Sequence, residues 1–335
     1  MDTATIPTTM TAWLGTDYGP ASGTVQQQVD APRPGKGQVL LRVRATALAA
    51  GDVRLLLGDP RLARLAFGLR RPKQPIRGID VAGTVVAVGE DVSQERIGEE
   101  VVAELNAGGG LATFVVAPAA RLVARPDDVE PGVAATLSVS AGTAQQALDL
   151  AGVESGHRVL VLGGSGGVGT FVVQLAAVRG AEVDATCSDR NRTLLEGIGA
   201  MRTFDDRTAS ASAPPAGRRY DAIIDIVGTR PLRALRDMLT PEGTLVMVGG
   251  GGGSVLGPLP RMLRAALLSI GSSRRIRSLM AMPKPEMTAA LIELARAGRI
   301  TPVIERTYSF AQANTALAHV EAGHTVGKVV VRVEQ

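Results

Sequence analysis

The chain has 335 residues, of which 45% are hydrophobic, 20% charged and only 3% aromatic. That length exceeds one ordinary domain and predicts two, each with a sizeable core. The net charge of +4 comes almost wholly from arginine, and basic clusters such as Arg70-Arg71 and Arg274-Arg275 carry no interleaved aromatics, which argues against nucleic acid as a partner. No run approaches the 18 or so apolar residues of a membrane span, so no membrane partner is expected. The first residues offer neither a basic start nor a long apolar core, so no signal peptide is expected and the default location is cytoplasmic. A lone cysteine, Cys187, excludes an internal disulfide and a thiolate zinc site.

Along the chain, the N-terminal third reads as β-rich. Residues 39–45 alternate cleanly, 81–88 form an apolar strand containing Gly83, and 113–117 form another. From about residue 127 the texture changes to alternating helices and strands. Helices are expected at 131–136, 143–151, 168–179, 192–198, 231–239 and 285–297; strands are expected at 159–162, 182–187, 220–227 and 244–248. A tail of strand, helix and strand follows at 303–310, 313–321 and 328–333. Such alternation implies a parallel sheet covered by helices on both faces. The stretch 261–270 is amphipathic and reads as a helix packed on its own domain, with a membrane or partner contact as the alternative.

The strongest local signal is Val159-Leu-Val-Leu-Gly-Gly-Ser-Gly-Gly-Val-Gly169. An apolar strand ends in glycines, a helix begins, and a second strand follows Gly180. That is the first βαβ unit of a dinucleotide-binding fold. By spacing, Gly164 takes the tight turn, Gly167 admits a pyrophosphate to the backbone, and Gly169 packs helix on strand. Ser165, Gly166 and Val168 complete the phosphate-facing turn at the helix N-terminus.

Several separated motifs then converge on one family. Residues 75–92, Pro-Ile-Arg-Gly-Ile-Asp-Val-Ala-Gly-Thr-Val-Val-Ala-Val-Gly-Glu-Asp-Val, resemble the N-terminal segment of medium-chain dehydrogenases/reductases. Gly156 to Gln174 resembles the signature of their zinc-free quinone oxidoreductase, zeta-crystallin-like branch, from which Ala177 departs. Ser140-Ala-Gly-Thr-Ala144, Asp225-Ile-Val-Gly228, Gly243 to Gly250 and Gly327-Lys-Val-Val330 fall in the family's order. The resemblance implies an α/β chain with a six-stranded, doubly wound Rossmann sheet and a second, β-rich, GroES-like domain. Residues 1–126 with 299–335 would form the GroES-like catalytic domain and 127–298 the cofactor domain. The active cleft would lie between them.

The resemblance also implies chemistry. Zinc relatives hold their metal with Cys, His and a second Cys or acid; the matching positions here, in 48–52 and 78–80, hold neither Cys nor His, so no metal is expected. Without a Lewis acid, hydride transfer favours acceptors that are already electrophilic, namely quinones or the β-carbon of an α,β-unsaturated carbonyl. Asp52 matches the family aspartate, with a structural role equally open. Ala49-Ala50 replace the family's Asn-Pro. Tyr18 is a candidate proton donor, with a turn position or a water donor as alternatives. Thr143 would contact the nicotinamide ribose or cap its helix.

The cofactor set is Ser140, Thr143, the turn 164–169, Ser188, Arg190, Asn191, Val227, Gly228, Gly249, Gly250 and Lys328. Ser188 and Arg190 would hold a 2′-phosphate and so favour NADPH, although the neighbouring charge of Asp189 opposes this. Superfamily habit implies a homodimer. A pathway-specific enoyl reductase and a non-catalytic NADPH-binding protein are the alternative functions. The aliphatic, arginine-rich stretch 55–69 is the candidate lining of a substrate pocket.

Overall fold

The computed structural model describes residues 7–205, 218–249 and 253–333. The chain divides into two compact units, one of Met1–Val139, Pro283–Gly298 and Ile304–Gln335, the other of Ser140–Met282 and Arg299–Val303. Elements are numbered along the whole chain.

In the first unit, β1 (Thr9–Leu14) and β2 (Val25–Asp30) form an antiparallel ribbon. The main sheet uses β3 (Gln38–Leu48), β4 (Asp80–Val88), β5 (Glu100–Glu104), β6 (Phe114–Pro118), β7 (Val123–Ala124), β14 (Ile304–Ser309) and β15 (Lys328–Arg332). Their order is β14-β15-β3-β4-β5-β7, with β6 also on β3. Strand β3 has two buried faces because its side chains alternate. Val39, Leu41 and Val43 enter one core cluster, whereas Leu40 and Leu48 enter another with Trp13, Leu111 and Leu317. Short helices α1 (Ala50–Leu57), α2 (Arg64–Phe67) and α3 (Pro131–Ala134) join this unit, as do α9 (Pro285–Arg296) and α10 (Ala313–Glu321). The unit runs to Val139 and takes in 283–298, beyond the boundaries expected from the sequence, because α3 packs on β3, β4 and β15 while α9 packs on β7.

The second unit is a wholly parallel sheet of β8 (Arg158–Leu162), β9 (Glu182–Cys187), β10 (Arg202–Asp205), β11 (Tyr220–Asp225), β12 (Leu239–Met247) and β13 (Arg275–Ser278). The order β10-β9-β8-β11-β12-β13 is that of the doubly wound dinucleotide fold, reversing direction at β8. Helices α4 (Gly142–Ala151), α5 (Gly169–Val178), α6 (Arg192–Gly197), α7 (Leu232–Asp237) and α8 (Leu259–Ser269) complete it. Every residue of α5 from Gly169 to Ala176 is buried, which explains why its sequence shows no polar stripe.

Strand β9 carries one buried charge. Asp184 is fully buried, accepts a 2.9 Å hydrogen bond from the Tyr220 hydroxyl, and pairs with the Arg218 guanidinium at 2.9 Å. Burial, then the Asp184 charge, pushes the Tyr220 hydroxyl upward, so it remains a donor. Arg218→Ala strands this carboxylate without its cation and is expected to destabilise the protein by about 3–5 kcal/mol. An unchanged urea midpoint would contradict that.

Candidate functional site

The nucleotide turn is shaped by crowding. Gly163, at φ +85°, makes the left-handed turn, a place that spacing gives to Gly164. Its N–H donates to Thr186 Oγ1 at 3.0 Å, and the Gly164 N–H donates to the Thr186 carbonyl at 2.9 Å. Gly164 must be glycine for another reason: a Cβ there would sit 2.9 Å from Ala185 and from Leu195. A Cβ on Gly169 would lie 2.1 Å from the Gly163 carbonyl oxygen, so the first turn of α5 rests directly on the end of β8. Gly166 donates back to Gly163, whereas the N–H groups of Ser165, Gly167 and Val168 have no backbone acceptor among the described residues. This half-buried, donor-lined turn fits a pyrophosphate.

At the end of β9, Ser188 precedes a one-turn helix and its hydroxyl accepts from Asn191 Nδ2 at 3.2 Å. Arg190 is exposed. Asp189, whose charge opposes a 2′-phosphate, is paired with Arg192 at 2.8 Å. Sequence reasoning missed Arg192; its spacing of three residues from an acid was the available signal.

Past β11, Gly228 (φ +75°) donates to Asp225 Oδ1 at 2.9 Å, while Arg261 holds Oδ2 at 2.7 Å. Val227 is exposed beside it. A Cβ on Gly249 would lie 1.8 Å from the Ile226 carbonyl oxygen, which brings the chain leaving β12 against this loop. Gly250 lies outside the described residues. Buried Ser140 sits in the single π-turn (Leu137–Ala141) before α4, and half-buried Thr143 lies in the first turn of α4. No side chain caps α4, so the capping role open to Thr143 is not used. Helix α4 packs on α5, β11 and β12.

The first unit holds a buried charge cluster. Asp52 accepts N–H bonds from Ala49 at 2.9 Å, Gly78 at 2.8 Å and Ile79 at 3.0 Å. It ties the start of α1 to the chain entering β4. Burial pushes its carboxyl up, while those N–H bonds and the charges of Lys328 and Arg77 pull it back. Both oxygens of Asp52 are engaged and it has no exposed surface.

Lys328, expected to face the cofactor cleft, is instead 1% exposed and turned inward, 3.8 Å from Asp80. Asp80 also accepts the Val139 N–H at 2.9 Å. Burial drives the Asp80 carboxyl up to about 8 and the Lys328 ammonium down, each partly offset by the other's charge. Neither Asp80 nor buried Arg77 is legible as part of this cluster from local pattern. Only the pairing of β3 with both β4 and β15 brings Asp80 and Lys328 together.

Beside this cluster lies a cavity of about 270 Å³, lined by Tyr18, Gly51, Leu55, Phe67, Ile79 and Asn106 among others. It draws its wall from the stretch 55–69, as composition suggested. The Tyr18 ring is stacked under the Arg64 guanidinium at 4.3 Å, and its hydroxyl donates to the Gly68 carbonyl at 2.6 Å. Its proton is thereby engaged by backbone.

A doubly wound unit with a phosphate cradle, joined in one chain to a GroES-like β unit with an apolar pocket, defines a nicotinamide-dependent oxidoreductase. Family models agree: the alcohol dehydrogenase GroES-like domain matches residues 35–127 and the zinc-binding dehydrogenase model matches 198–331. Quinone-oxidoreductase QR1, chloroplastic, from Triphysaria versicolor is 33% identical over 93% of this chain and 95% of its own length. The 2-methylene-furan-3-one reductase of Solanum lycopersicum is 31% identical over 97% of this chain and 80% of its own. The solved quinone oxidoreductase from Coxiella burnetii superposes with a TM-score of 0.87 at 27% identity, covering 97% of this chain and 100% of that one. The chain belongs to the medium-chain dehydrogenase/reductase superfamily, in its quinone oxidoreductase branch. Relatives named chloroplastic or mitochondrial lend no support to a cytoplasmic location.

Two expectations follow from this geometry. Gly169→Ala forces the Gly163 carbonyl aside and should weaken nucleotide affinity roughly tenfold or more, about 1.4 kcal/mol per decade. Fluorescence titration with NADPH checks it, and unchanged affinity would refute the cradle. The second concerns pH. Native Asp80 retains a proton that the unfolded chain loses near 3.8, so its share of stability falls as pH rises from there toward about 8. The stability of Asp80→Asn relative to wild type should therefore improve across that window; chemical denaturation at stepped pH measures it, and a flat difference counts against the assignment.

Proposed function

We propose that this chain is a zinc-free, NADPH-dependent reductase that delivers hydride to a quinone or to the β-carbon of an α,β-unsaturated carbonyl. The observation that carries this reading is the wall of the apolar cavity. Gly51 and Ile79 stand in the two segments where zinc relatives place metal ligands, and neither side chain can bind a metal. Among the described residues no cluster of three or more His, Cys, Asp or Glu has metal-binding geometry. Both named relatives, a quinone oxidoreductase and a furanone reductase, act on acceptors of these two kinds by name.

The turn 164–169 would hold the pyrophosphate, and Ser188, Arg190 and Asn191 the 2′-phosphate. Pairing of Asp189 with Arg192 supports this choice, since it neutralises the one acid that opposes a phosphate there. When bound, the nicotinamide supplies the hydride. This chain's residues bind and orient it, and Leu55, Phe67 and Ile79 give the acceptor an apolar bed. With the Tyr18 hydroxyl held by Gly68, the proton that completes reduction comes from water, and Tyr18 acts by shaping the pocket. As the edge strand of its sheet among the described residues, β13 would offer a backbone ladder through which two copies pair as a homodimer.

Steady-state kinetics with 1,4-benzoquinone and an enone decide the reading. NADPH should be preferred over NADH in kcat/KM. Arg190→Ala should raise the KM for NADPH roughly tenfold or more, in line with the loss of a charge-assisted hydrogen bond, and leave NADH almost unchanged. A preference for NADH, or stoichiometric zinc in active protein, would overturn it.

A further inference from the structure

Between α1 and β4 the chain turns four large apolar side chains outward within eight residues. Leu65 is 69%, Leu69 66%, Leu62 39% and Phe67 36% exposed. Local bonds hold this turn in shape. Arg64 reaches back to the Gly58 carbonyl at 2.9 Å and to that of Leu57 at 3.1 Å. Gly68 sits at φ +124°, where a Cβ would overlap the Arg71 carbonyl oxygen, and its own carbonyl accepts the Tyr18 hydroxyl. The Lys73 N–H closes the turn on the Phe67 carbonyl at 2.8 Å. A patch held in place with its leucines bare marks a contact.

Charge and position identify what the patch meets. Residues 58–73 hold Arg61, Arg64, Arg70, Arg71 and Lys73 against one acid, Asp59. Arg71 pairs with exposed Asp17 at 3.0 Å, and Arg64 stacks on Tyr18. Exposed Arg61 and Arg70 have no carboxylate partner among the described residues. Two copies meeting face to face here would oppose these cations. On its inner side the patch adjoins the acceptor cavity: Ala63, Arg64 and Phe67 line it, and Phe67 also reaches the surface. A docked protein would lay a fixed surface over that wall. A bilayer instead offers anionic headgroups to the arginines and fluid acyl chains to the leucines, next to an apolar cavity.

We propose that residues 58–73 seat this protein on anionic bilayers, and that its acceptor is a quinone with a long apolar tail, taken from the lipid through this patch. The proposal rests on the quinone reading of the cavity. Hydride from NADPH and one proton from water convert the quinone to its quinol, which returns to the lipid. Flotation of the intact protein with phosphatidylcholine vesicles, with and without about one third phosphatidylglycerol, tests the docking. NADPH oxidation by a decyl-substituted benzoquinone in those vesicles, and by 1,4-benzoquinone in solution, tests the delivery. Wild type should float only with anionic vesicles and be released by high salt. Its kcat/KM for the tailed quinone should be about tenfold higher with anionic than with neutral vesicles. Leu65→Ser/Leu69→Ser and, separately, Arg61→Gln/Arg70→Gln should each lower the bound fraction about tenfold and abolish that gain. None of these four side chains lines the cavity, so turnover of 1,4-benzoquinone should stay unchanged. Failure to float, equal binding to neutral vesicles, or full binding by either variant overturns the docking alone when 1,4-benzoquinone is still reduced. Flotation without turnover of either quinone overturns the acceptor reading instead, and the delivery with it. Adsorption to polyglutamate beads in place of vesicles would assign the patch to an acidic protein. A smaller oligomer in the serine variant would make it a subunit contact. Either result overturns the proposal.

Discussion

A backbone-to-backbone approach governs the nucleotide unit. The first turn of α5 lies so close to the end of β8 that the Gly163 carbonyl leaves no room for a side chain at Gly169. The same turn is pressed by Ala185 and Leu195 on one side and by Val227 on the other. Thr186 then pins it twice, once by its hydroxyl and once by its carbonyl. The N–H groups of Ser165, Gly167 and Val168 have no backbone acceptor among the described residues. Tight packing thus shapes the turn at the N-terminus of α5, where the helix adds its positive end.

The first unit depends on the opposite device, charges kept from water. Asp52, Asp80 and Lys328 are essentially fully buried, so each charge is unfavourable alone and tolerable only among its partners. Their hydrogen bonds reach the backbone of Ala49, of Gly78 and Ile79, and of Val139, three stretches far apart in the chain. The cluster thus sets where α1, the entry to β4 and the end of the unit must lie. It also sets the position of Gly51 and Ile79 in the cavity wall. Hydrophobic packing alone specifies such backbone positions less sharply, because apolar contacts carry no direction.

Buried charge of a different kind orders the end of β11. Asp225 binds Gly228 and Arg261 together, and so couples the loop after the strand to the first turns of α8. One carboxylate accordingly fixes both the loop after β11 and the start of α8.

Periodicity and glycine placement were sufficient for the parallel sheet, its central strands β8, β9 and β11, and the glycine turn between β8 and α5. These signals are local: strands buried on both faces read as continuous apolar runs, and a tight turn admits few residues. Strands β1, β2, β5, β10 and β13 were not legible, because β2 is mostly exposed and the others are short or mixed in character. The roles of Lys328, Asp80 and Arg192 were equally hidden. Lys328, after a glycine, reads as a lysine facing the cofactor cleft or the surface, yet antiparallel pairing of β15 with β3 carries it inward to Asp80. What the amino-acid order settled unaided is wherever chemistry and neighbours lie within one turn or one strand. Only the folded chain decided which distant charges meet in the dark of the core, because the free energy of burying them depends on partners brought there by the whole sheet.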